Sequence, residues 1–493
     1  MRPAVRDLLT GIALVNLCFI AVWDEVLAVT RNRYLLDVSS ADVVAVILNV
    51  IVVGAVCGAG AILARRHPSP WAWRIARAAF LAVLLLPLGR LAKEFNPLYA
   101  ETLFFRVVGP APRRLPLKEL APLLPLLTFA TWPVASARIA QRVLLFLFPF
   151  ALVTCGRGLW VLATGDLTTR YADQPPATAR PSPGAGSPRL AIILLDQLGQ
   201  RIAFTERPAD LALPELDRLR GEAVFATHAI RAGVKTVISV PAMLGGHAVD
   251  SARHREPDEL MVTFSGAPGP VAWSTAPTLF SWARAHGVNA GVAGWYHPYC
   301  RVFGALLTRC AWRPHADAIH RDRATLAARM GAQLRSLWPW DPRRRHIEDY
   351  RIVMAHAKAV LTDSSLGLAF VHLNVPHTPI VYDRRAGRFA VHNSRPAGYL
   401  DNVALADRAL GELRRSMEAA GVWDRTTLIV VSDHPLGAPR DGRLVPFLVR
   451  LPGGHGATSD TPFHTVRLAV LGQEVLAGRL RTTADVVRWM EAR

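Results

Sequence analysis

The stretch Thr427-Leu428-Ile429-Val430-Val431-Ser432-Asp433-His434 is an apolar run that stops on two side chains able to bind a metal. An uninterrupted apolar run of this length is typical of a strand that is buried on both faces of a parallel sheet. In open α/β sheets the carboxyl ends of such strands carry the chemistry. The sequence therefore predicts that Asp433 and His434 lie at the functional edge of a sheet.

A second apolar run, residues 190–195, ends in the same way on Asp196, and Thr236 follows in a segment that we expect to form a tight turn. Carboxylates, an imidazole and a hydroxyl form a mixed oxygen and nitrogen set that suits zinc or manganese, whereas calcium sites favour oxygen throughout. A bound dication activates a hydroxyl and polarises a phosphoryl oxygen. We therefore predict a divalent metal site, zinc first with manganese or calcium as alternatives, whose ligands are Asp196, Thr236, Asp433 and His434.

Short apolar runs alternate with helical patterns through the second part of the chain. Such alternation predicts a mostly parallel sheet that is covered by helices on both faces. The fold class that we expect over residues 189–493 is a doubly wound α/β/α domain. Its predicted strands are 190–195, 288–293, 367–372, 427–432 and 444–450, and its predicted helices are 214–222, 277–286, 347–362 and 400–420.

The first 165 residues are dominated by long apolar stretches. Several approach the roughly 20 residues that a helix needs to cross a bilayer. We expect a polytopic α-helical membrane domain of about five spans over residues 1–165, followed by a Pro/Gly-rich linker over residues 166–188. The predicted spans are 8–29, 43–63, 75–91, 121–137 and 143–163.

Basic residues near the ends of these spans predict the orientation, because cytoplasmic loops are enriched in Lys and Arg. Five crossings then place the second domain on the extracytoplasmic side. The residues that favour this orientation are Arg2, Arg6, Arg65, Arg66, Arg74, Arg77, Arg138 and Arg142, and those that weaken it are Arg31, Arg33, Arg113 and Arg114.

The chain has 493 residues and a formal net charge of +19. A charge of this size is a reason to consider nucleic-acid binding. The charge is nearly all Arg and is spread along the chain, with Lys only at positions 93, 118, 235 and 358. We therefore expect no nucleic-acid partner.

Cys300 and Cys310 are the only cysteines of the predicted second domain. In an oxidising compartment such a pair is expected to form a disulfide. A zinc-binding pair is the alternative, although no second Cys or His pair with suitable spacing accompanies it.

Several motifs together resemble the sulfatase-like branch of the alkaline phosphatase superfamily, in particular the membrane-bound phosphoethanolamine transferases and lipoteichoic-acid synthases. The resemblance covers most of residues 188–452, and the apolar amino-terminal region is similar to the membrane part of the same proteins. It rests on Leu194-Leu195-Asp196, Pro214-Glu215-Leu216-Asp217-Arg218-Leu219, Thr236-Val237-Ile238-Ser239-Val240-Pro241, His372-Leu373-Asn374-Val375-Pro376-His377-Thr378-Pro379 and Asp424 to His434.

The resemblance implies a multi-pass protein of the bacterial inner (cytoplasmic) membrane with a periplasmic catalytic domain. Thr236 would be the nucleophile, five residues before Pro241, and would carry a phospho-threonine intermediate. The group transferred would be of the phosphoethanolamine or phosphoglycerol type, moving from a phospholipid donor to an envelope lipid or glycan acceptor. His377 would touch the substrate phosphate or a second metal, supported by His372.

Two further side chains are candidates for the substrate site. Lys235 would steady an anionic transition state and His297 would line the pocket. The alternative for Lys235 is a solvated surface lysine, and for His372 it is a core histidine at a strand end.

The sequence also departs from the family pattern. His434 is followed by Pro435 instead of glycine and by a short segment, which puts a second metal in doubt. Asp196 stands where the transferases often carry glutamate, which favours a phosphodiesterase or phosphatase as the alternative. A catalytically silent envelope-binding protein is the other alternative. Neither Cys300 nor Cys310 lies in the motif that true sulfatases convert to formylglycine, so sulfate-ester hydrolysis is not expected.

Overall fold

The computed structural model of the chain describes residues 2–27, 34–35, 38–95, 123–164, 173–181, 187–256, 258–315, 325–338, 341–391, 398–436 and 442–492. Residues 166–172 and 182–186 of the predicted linker, and Arg31, Arg33, Arg113 and Arg114 of the predicted outer loops, lie outside these ranges. The chain divides into two compact units. The first unit comprises Met1–Arg170 and Ala316–Asp341, and the second comprises Tyr171–His315 and Pro342–Arg493.

The first unit is helical. Its amino-terminal helices are α1 (Pro3–Cys18), α2 (Ile20–Leu27), α3 (Ser40–Arg66), α4 (Pro70–Phe95), α5 (Leu123–Thr131) and α6 (Pro133–Ala163). Among the described residues, α3, the segment Pro70–Leu88 of α4, and α6 are long and apolar enough to cross a bilayer. A fourth span results if α1 and α2, bent by 62° to each other, cross together. Three to four apolar helices therefore suggest membrane anchoring.

The helices differ from the predicted spans in two places, of which the first is the predicted span 8–29, divided between α1 and α2 with a bend of 62°. The predicted spans 121–137 and 143–163 were separated by a basic loop, but α6 runs through both Arg138 and Arg142 as one helix of 31 residues. Arg, Ala and Gln are good helix formers, so the polar interruption at this position does not end the helix. Arg138 and Arg142 therefore belong to the first turns of a long helix.

Small residues allow α1 and α3 to pack closely. A Cβ atom built on Gly54 would lie 2.7 Å from the Cα of Ile12, and one built on Gly58 would lie 2.6 Å from the Cα of Leu8. This spacing of two glycines four residues apart is a common contact surface between membrane helices, because it lets the backbones approach.

The second unit is built on an eight-stranded sheet in the order β14-β2-β13-β12-β1-β9-β7-β8. The five strands from β12 to β8 run parallel to one another, and β13 is antiparallel to both of its neighbours. The strands of the unit are β1 (Arg189–Leu195), β2 (Val224–Ala226), β3 (Ala229–Ile230), β4 (Val249–Glu256), β5 (Glu259–Phe264), β6 (Val271–Ala272), β7 (Ala290–Tyr296), β8 (Arg309–Pro314), β9 (Leu368–Leu373), β10 (Tyr382–Asp383), β11 (Arg388–Phe389), β12 (Thr426–Val431), β13 (Phe447–Arg450), β14 (Ala457–Ser459) and β15 (Phe463–His464).

Helices cover both faces of this sheet. The later helices of the chain are α7 (Pro214–Glu222), α8 (Thr236–Gly245), α9 (Leu279–Ala285), α10 (Tyr299–Phe303), α11 (Leu326–Arg335), α12 (Asp341–Leu361), α13 (Gly398–Ala419), α14 (Leu468–Leu476) and α15 (Thr483–Glu491). Leu190 of β1 lies against Gly472 of α14, whereas Ile193 lies near Leu410 and Met417 of α13. Residues 190 and 193 point to opposite faces of a strand. The expected doubly wound α/β fold is therefore confirmed.

The predicted central strands are all present. Sequence reasoning missed the strands near the edges of the sheet and a second, smaller sheet. β8, β2 and β14, and the separate antiparallel sheet of β4, β5 and β6, were not predicted. These strands are short or carry polar residues, so they lack the continuous apolar run that marks a strand buried on both faces.

Helix α11 belongs to the first unit although it lies between strands of the second in sequence. It packs on α3, where the guanidinium of Arg329 pairs with Asp42 at 2.6 Å. The amide of Gln333 donates to the Asp42 carbonyl at 2.9 Å, and Asn49 donates to the Gln333 side chain at 3.0 Å. These polar contacts fasten residues from the middle of the chain to the apolar bundle.

A disulfide joins α10 to β8. The Sγ atoms of Cys300 and Cys310 are bonded, with 5.5 Å between the two Cα atoms.

Candidate active site

Three neighbouring parallel strands end at the candidate site. β1 lies between β12 and β9 in the sheet, so the carboxyl ends of the three strands are adjacent. Asp196 directly follows β1, Asp433 and His434 follow β12, and His372 lies one residue before the end of β9. The order of the strands thus brings together residues that are up to 238 positions apart.

Asp196, Asp433 and His434 form a buried cluster whose potential ligand atoms all lie within 4.8 Å of one another. Both carboxylates are 0% exposed and His434 is 9% exposed. One oxygen of Asp196, Oδ1, is buried and accepts no hydrogen bond. Burying a carboxylate oxygen without a partner is costly unless a cation or donor compensates it. The donor set and the orphaned oxygen fit a divalent metal ion.

Thr236 joins this cluster from the start of α8. Its hydroxyl donates to Oδ2 of Asp433 at 2.8 Å and lies 3.4 Å from Nε2 of His434. The residue was expected in a tight turn, but it is the first residue of a helix of 10 residues. The free N–H groups and the dipole at a helix N-terminus stabilise negative charge. This end of α8 therefore favours an anionic group beside the hydroxyl.

The second oxygen of Asp433 fixes the backbone around the site. Oδ1 accepts the N–H groups of Gln197 at 3.1 Å and of His434 at 2.8 Å. Gln197 has a φ of 69°, in the left-handed region that non-glycine residues rarely adopt. Its carbonyl accepts the Tyr399 hydroxyl, so the strained residue is held on both sides. Strain of this kind is commonly found at functional sites.

Burial and the neighbouring charges shift the pKa values of Asp196 and His434. Burial and the neighbouring Asp433 raise the pKa of Asp196 well above its usual value, opposed by His434. Burial lowers the pKa of His434, but the carboxylates of Asp433 and Asp196 outweigh it, so the net shift is upward. Both shifts favour a bound proton, and a dication among these two carboxylates and the imidazole would take its place.

His372 and His297 lie behind the cluster and are both 0% exposed. Nε2 of His372 lies 3.2 Å from Oδ2 of Asp196, and its Nδ1 lies 3.0 Å from the Tyr299 hydroxyl. Nε2 of His297 lies 3.4 Å from the Thr236 carbonyl. Burial lowers the pKa of His372 to about 4 and that of His297 well below its usual value. Both rings are therefore neutral at pH 7 and are placed to orient Asp196 and Thr236.

His377 lies on the loop after β9 and is partly buried. Asn402 of α13 holds this loop, because its amide donates to the carbonyls of His377 at 3.0 Å and Pro379 at 3.1 Å. Burial, followed by the nearby His315, lowers the pKa of His377 well below its usual value. His377 is thus a fixed, neutral imidazole rather than a mobile surface histidine.

Lys235 precedes α8 and its side chain is exposed. The segment after His434, on which the doubt about a second metal rests, includes residues 437–441, which lie outside the described residues.

Sequence reasoning did not find Gln197, Tyr299, Tyr399 or Asn402. The only available signal was a polar residue within or next to an otherwise apolar segment, and many such residues are merely solvated. Their roles depend on the tertiary arrangement, which brings Gln197 to Asp433, Tyr299 to His372, Tyr399 to the Gln197 carbonyl and Asn402 to the His377 loop.

Comparison with known proteins agrees with this geometry. The model of a family described as Sulfatase matches residues 190–469. No curated protein matches the chain significantly.

Solved structures that the comparison matches to this chain include two phosphonate monoester hydrolases. The enzyme of Agrobacterium radiobacter is 14% identical with a TM-score of 0.42, covering 59% of this chain and 74% of that one. The enzyme from Silicibacter pomeroyi is 14% identical with a TM-score of 0.40, covering 59% and 73%. A protein in the alkaline phosphatase superfamily from Vibrio parahaemolyticus is 16% identical with a TM-score of 0.39, covering 60% and 69%.

Proposed function

The chain belongs to the sulfatase family, whose model matches residues 190–469, and we propose that it is a membrane-anchored, metal-dependent phosphotransferase. The substrate would be a phospholipid that donates a phosphoethanolamine- or phosphoglycerol-type group. The acceptor would be an envelope lipid or glycan on the extracytoplasmic side.

One observation carries the proposal: the Thr236 hydroxyl lies 2.8 Å from Asp433 within a buried Asp/Asp/His cluster. Asp196, Asp433 and His434, with the oxygen of Thr236, would hold the metal, zinc first and manganese or calcium as alternatives. The metal would supply positive charge that activates a hydroxyl and polarises a phosphoryl oxygen. True sulfatases must first convert a side chain to formylglycine, whereas a threonine hydroxyl can act as a nucleophile without such a step.

The reaction divides into two displacements at phosphorus. The Thr236 oxygen forms a bond to phosphorus and loses its proton, while the bond from phosphorus to the diacylglycerol oxygen breaks and that oxygen is protonated. An acceptor hydroxyl then forms a bond to phosphorus and loses its proton, while the bond from phosphorus to the Thr236 oxygen breaks and that oxygen is protonated again. The N-terminus of α8 would stabilise the charge on the phosphoryl oxygens in both steps.

Other residues would position these groups. His297 would hold the backbone carbonyl of Thr236 and His372 would orient Asp196, as their distances of 3.4 and 3.2 Å suggest. His377 would contact the substrate phosphate. Lys235, exposed just before α8, would add positive charge near the entrance of the active site.

The apolar helices of the first unit support a lipid donor. A donor that stays in the bilayer must meet an enzyme that is held at the membrane. The second candidate is a phosphodiesterase or phosphatase that uses water as acceptor, which Asp196 in place of glutamate favours.

The test is intact-mass measurement of the full chain after exposure to isotopically labelled phosphatidylethanolamine or phosphatidylglycerol. We expect a phospho-alcohol adduct on Thr236 that disappears when an acceptor lipid is added. Thr236→Ala should abolish both adduct and turnover, whereas Ser239→Ala, which removes a hydroxyl from the same helix, should retain them. Label that passes only to water would support the hydrolase, and no adduct together with full activity of Thr236→Ala would refute both functions.

A further inference from the structure

A cavity of about 740 Å³ lies within the first unit, between α1, α3, α4 and α6. Its wall is formed by the first turns of α1, α4 and α6 and by the last turns of α3, so it lies at one end of the bundle. Ligand pockets usually measure about 300–1,000 Å³. No residue of the candidate active site lines it.

The wall is strongly basic and its positive charges are poorly compensated. The five arginines that line it are Arg6, Arg65, Arg77, Arg138 and Arg142, and the only acidic residue is Asp7. Asp7 is bound by Arg65 through two contacts of 3.1 Å, and it also accepts the Gln141 amide at 3.0 Å. Within the described part of the chain, Arg138 and Arg142 have no ion pair, and the buried Nε of Arg6 has no hydrogen bond, although it lies 3.9 Å from Oδ1 of Asp7.

The same cavity has an apolar wall. Leu14, Phe80, Val83 and Leu145 line it beyond the arginines. Trp73 lies under the guanidinium groups of Arg65 at 4.3 Å and Arg77 at 5.7 Å, and its ring packs against both. A ligand with an anionic head and hydrocarbon chains matches both walls.

We infer that this cavity binds the phosphate head group of an anionic phospholipid, with the acyl chains against the apolar wall. Arg77, Arg138 and Arg142 are the residues free to contact the phosphate, since Asp7 is already occupied by Arg65. The basic ends of membrane helices face the cytoplasm, and basic pockets between helices on that side bind anionic head groups. This inference does not depend on the proposed transferase activity.

The test is native mass spectrometry of the delipidated full chain titrated with phosphatidylglycerol, with phosphatidylcholine and with inorganic phosphate. We expect phosphatidylglycerol to bind in preference to phosphatidylcholine, and inorganic phosphate not to displace it. The double variant Arg138→Gln/Arg142→Gln should lose about thirtyfold in affinity for the anionic lipid. The matched control is Arg66→Gln/Arg74→Gln, which removes two arginines near the same end that do not line the cavity, and it should lose about threefold at most.

Three results would overturn the inference: equal affinity of the wild type for both lipids, equal losses in the two double variants, or displacement by inorganic phosphate, which would make a free anion the ligand. If the glutamine variant does not fold, Arg138→Lys/Arg142→Lys keeps the charges and should keep the lipid preference. Because the readout is lipid binding, it is separate from the phospho-adduct on Thr236.

Discussion

Asp433 uses each of its oxygens for a different purpose. Oδ1 accepts two backbone N–H groups, while Oδ2 accepts the Thr236 hydroxyl within the Asp196, Asp433 and His434 cluster. An amide in this position would lack the negative charge. Its NH2 group would face either the proposed metal or the two backbone N–H donors. No orientation of the amide satisfies both sides.

The first prediction concerns this residue. Asp433→Asn should lower the metal affinity by more than the roughly hundredfold typical of losing an outer-shell partner. Metal content of the purified protein, measured by elemental mass spectrometry after dialysis, checks this. Asp424→Asn, whose side chain is 97% exposed, is the control and should keep its metal. A metal content unchanged in Asp433→Asn would show that the cluster is not the metal site.

For single residues, the sequence predicts the candidate metal ligands better than the residues that hold them in place. Asp196 and Asp433 end apolar strands, and this context distinguishes them from other acidic residues of the chain. The left-handed Gln197 has no such context, because its conformation is imposed by Asp433 from another strand and by Tyr399 from α13. The hydroxyl of Thr236 was a candidate from the sequence and its role as nucleophile came from the family resemblance, whereas its place at a helix N-terminus required the structure.

Among the elements, α7 and α13 are joined in part by a buried carboxylate, beside the ion pair between Glu215 and Arg414. Asp407 of α13 accepts the backbone N–H groups of Glu215 at 3.2 Å and Leu216 at 2.8 Å in the first turn of α7. Burial is the main cause that raises the pKa of Asp407 to about 6 from the usual 3.8.

The second prediction follows from this shift. The unfolded carboxyl loses its proton near pH 4 while the folded one keeps it to about pH 6, so this group makes the fold less stable as the pH rises between these values. The shift of about two units corresponds to about 3 kcal/mol. The thermal midpoint of Asp407→Asn, relative to that of the wild type, should therefore increase from pH 4 to pH 7. A difference that stays constant over this range would contradict the assignment.

The third prediction concerns the disulfide between α10 and β8. It closes a loop of about ten residues, and such a constraint on the unfolded chain stabilises by about 3 kcal/mol. The double variant Cys300→Ser/Cys310→Ser should unfold at a clearly lower temperature in calorimetry. Cys57→Ser, which removes an unpaired thiol, serves as control and should leave the midpoint unchanged. Equal midpoints for all three proteins would show that the bond does not form.

The elements that the sequence predicts well are those with one dominant physical signal. The central strands bury every side chain and the long helices are nearly continuous apolar runs, so composition alone marks them. Edge strands such as β8 and β14 depend on a neighbour for their hydrogen bonds, and the sequence of one strand does not reveal its neighbour. Helix α6 shows the opposite failure, because two arginines suggested a loop where the helix continues.

For the whole molecule, α6 determines how the chain passes through the membrane. It begins at the basic end of the bundle and runs for 31 residues, about 46 Å, which exceeds the roughly 30 Å of a bilayer's hydrocarbon core. The chain therefore leaves the bundle at the opposite end from Arg138.

The fourth prediction tests this topology. Reporter enzymes inserted after Ser69 and at the carboxyl terminus should report opposite sides, with Ser69 in the cytoplasm because it lies at the basic end. An insertion after Ala163 should behave like the carboxyl-terminal one. Reporters that all respond on the same side would contradict the proposed extracytoplasmic position of the catalytic unit.

The attachment of α11 to α3 has a practical consequence for anyone who trims the protein. Cleavage between residues 173 and 181 would break the covalent link between the amino-terminal helices and the rest of the chain. The larger, carboxyl-terminal fragment would still carry Arg329 and Gln333, which bind Asp42. Proteolysis alone should thus leave the enzyme on the vesicle pellet. A recombinant fragment that starts at residue 189 would in turn expose the surface of α11 that normally covers α3, and it should aggregate unless residues 325–338 are replaced by a short polar loop.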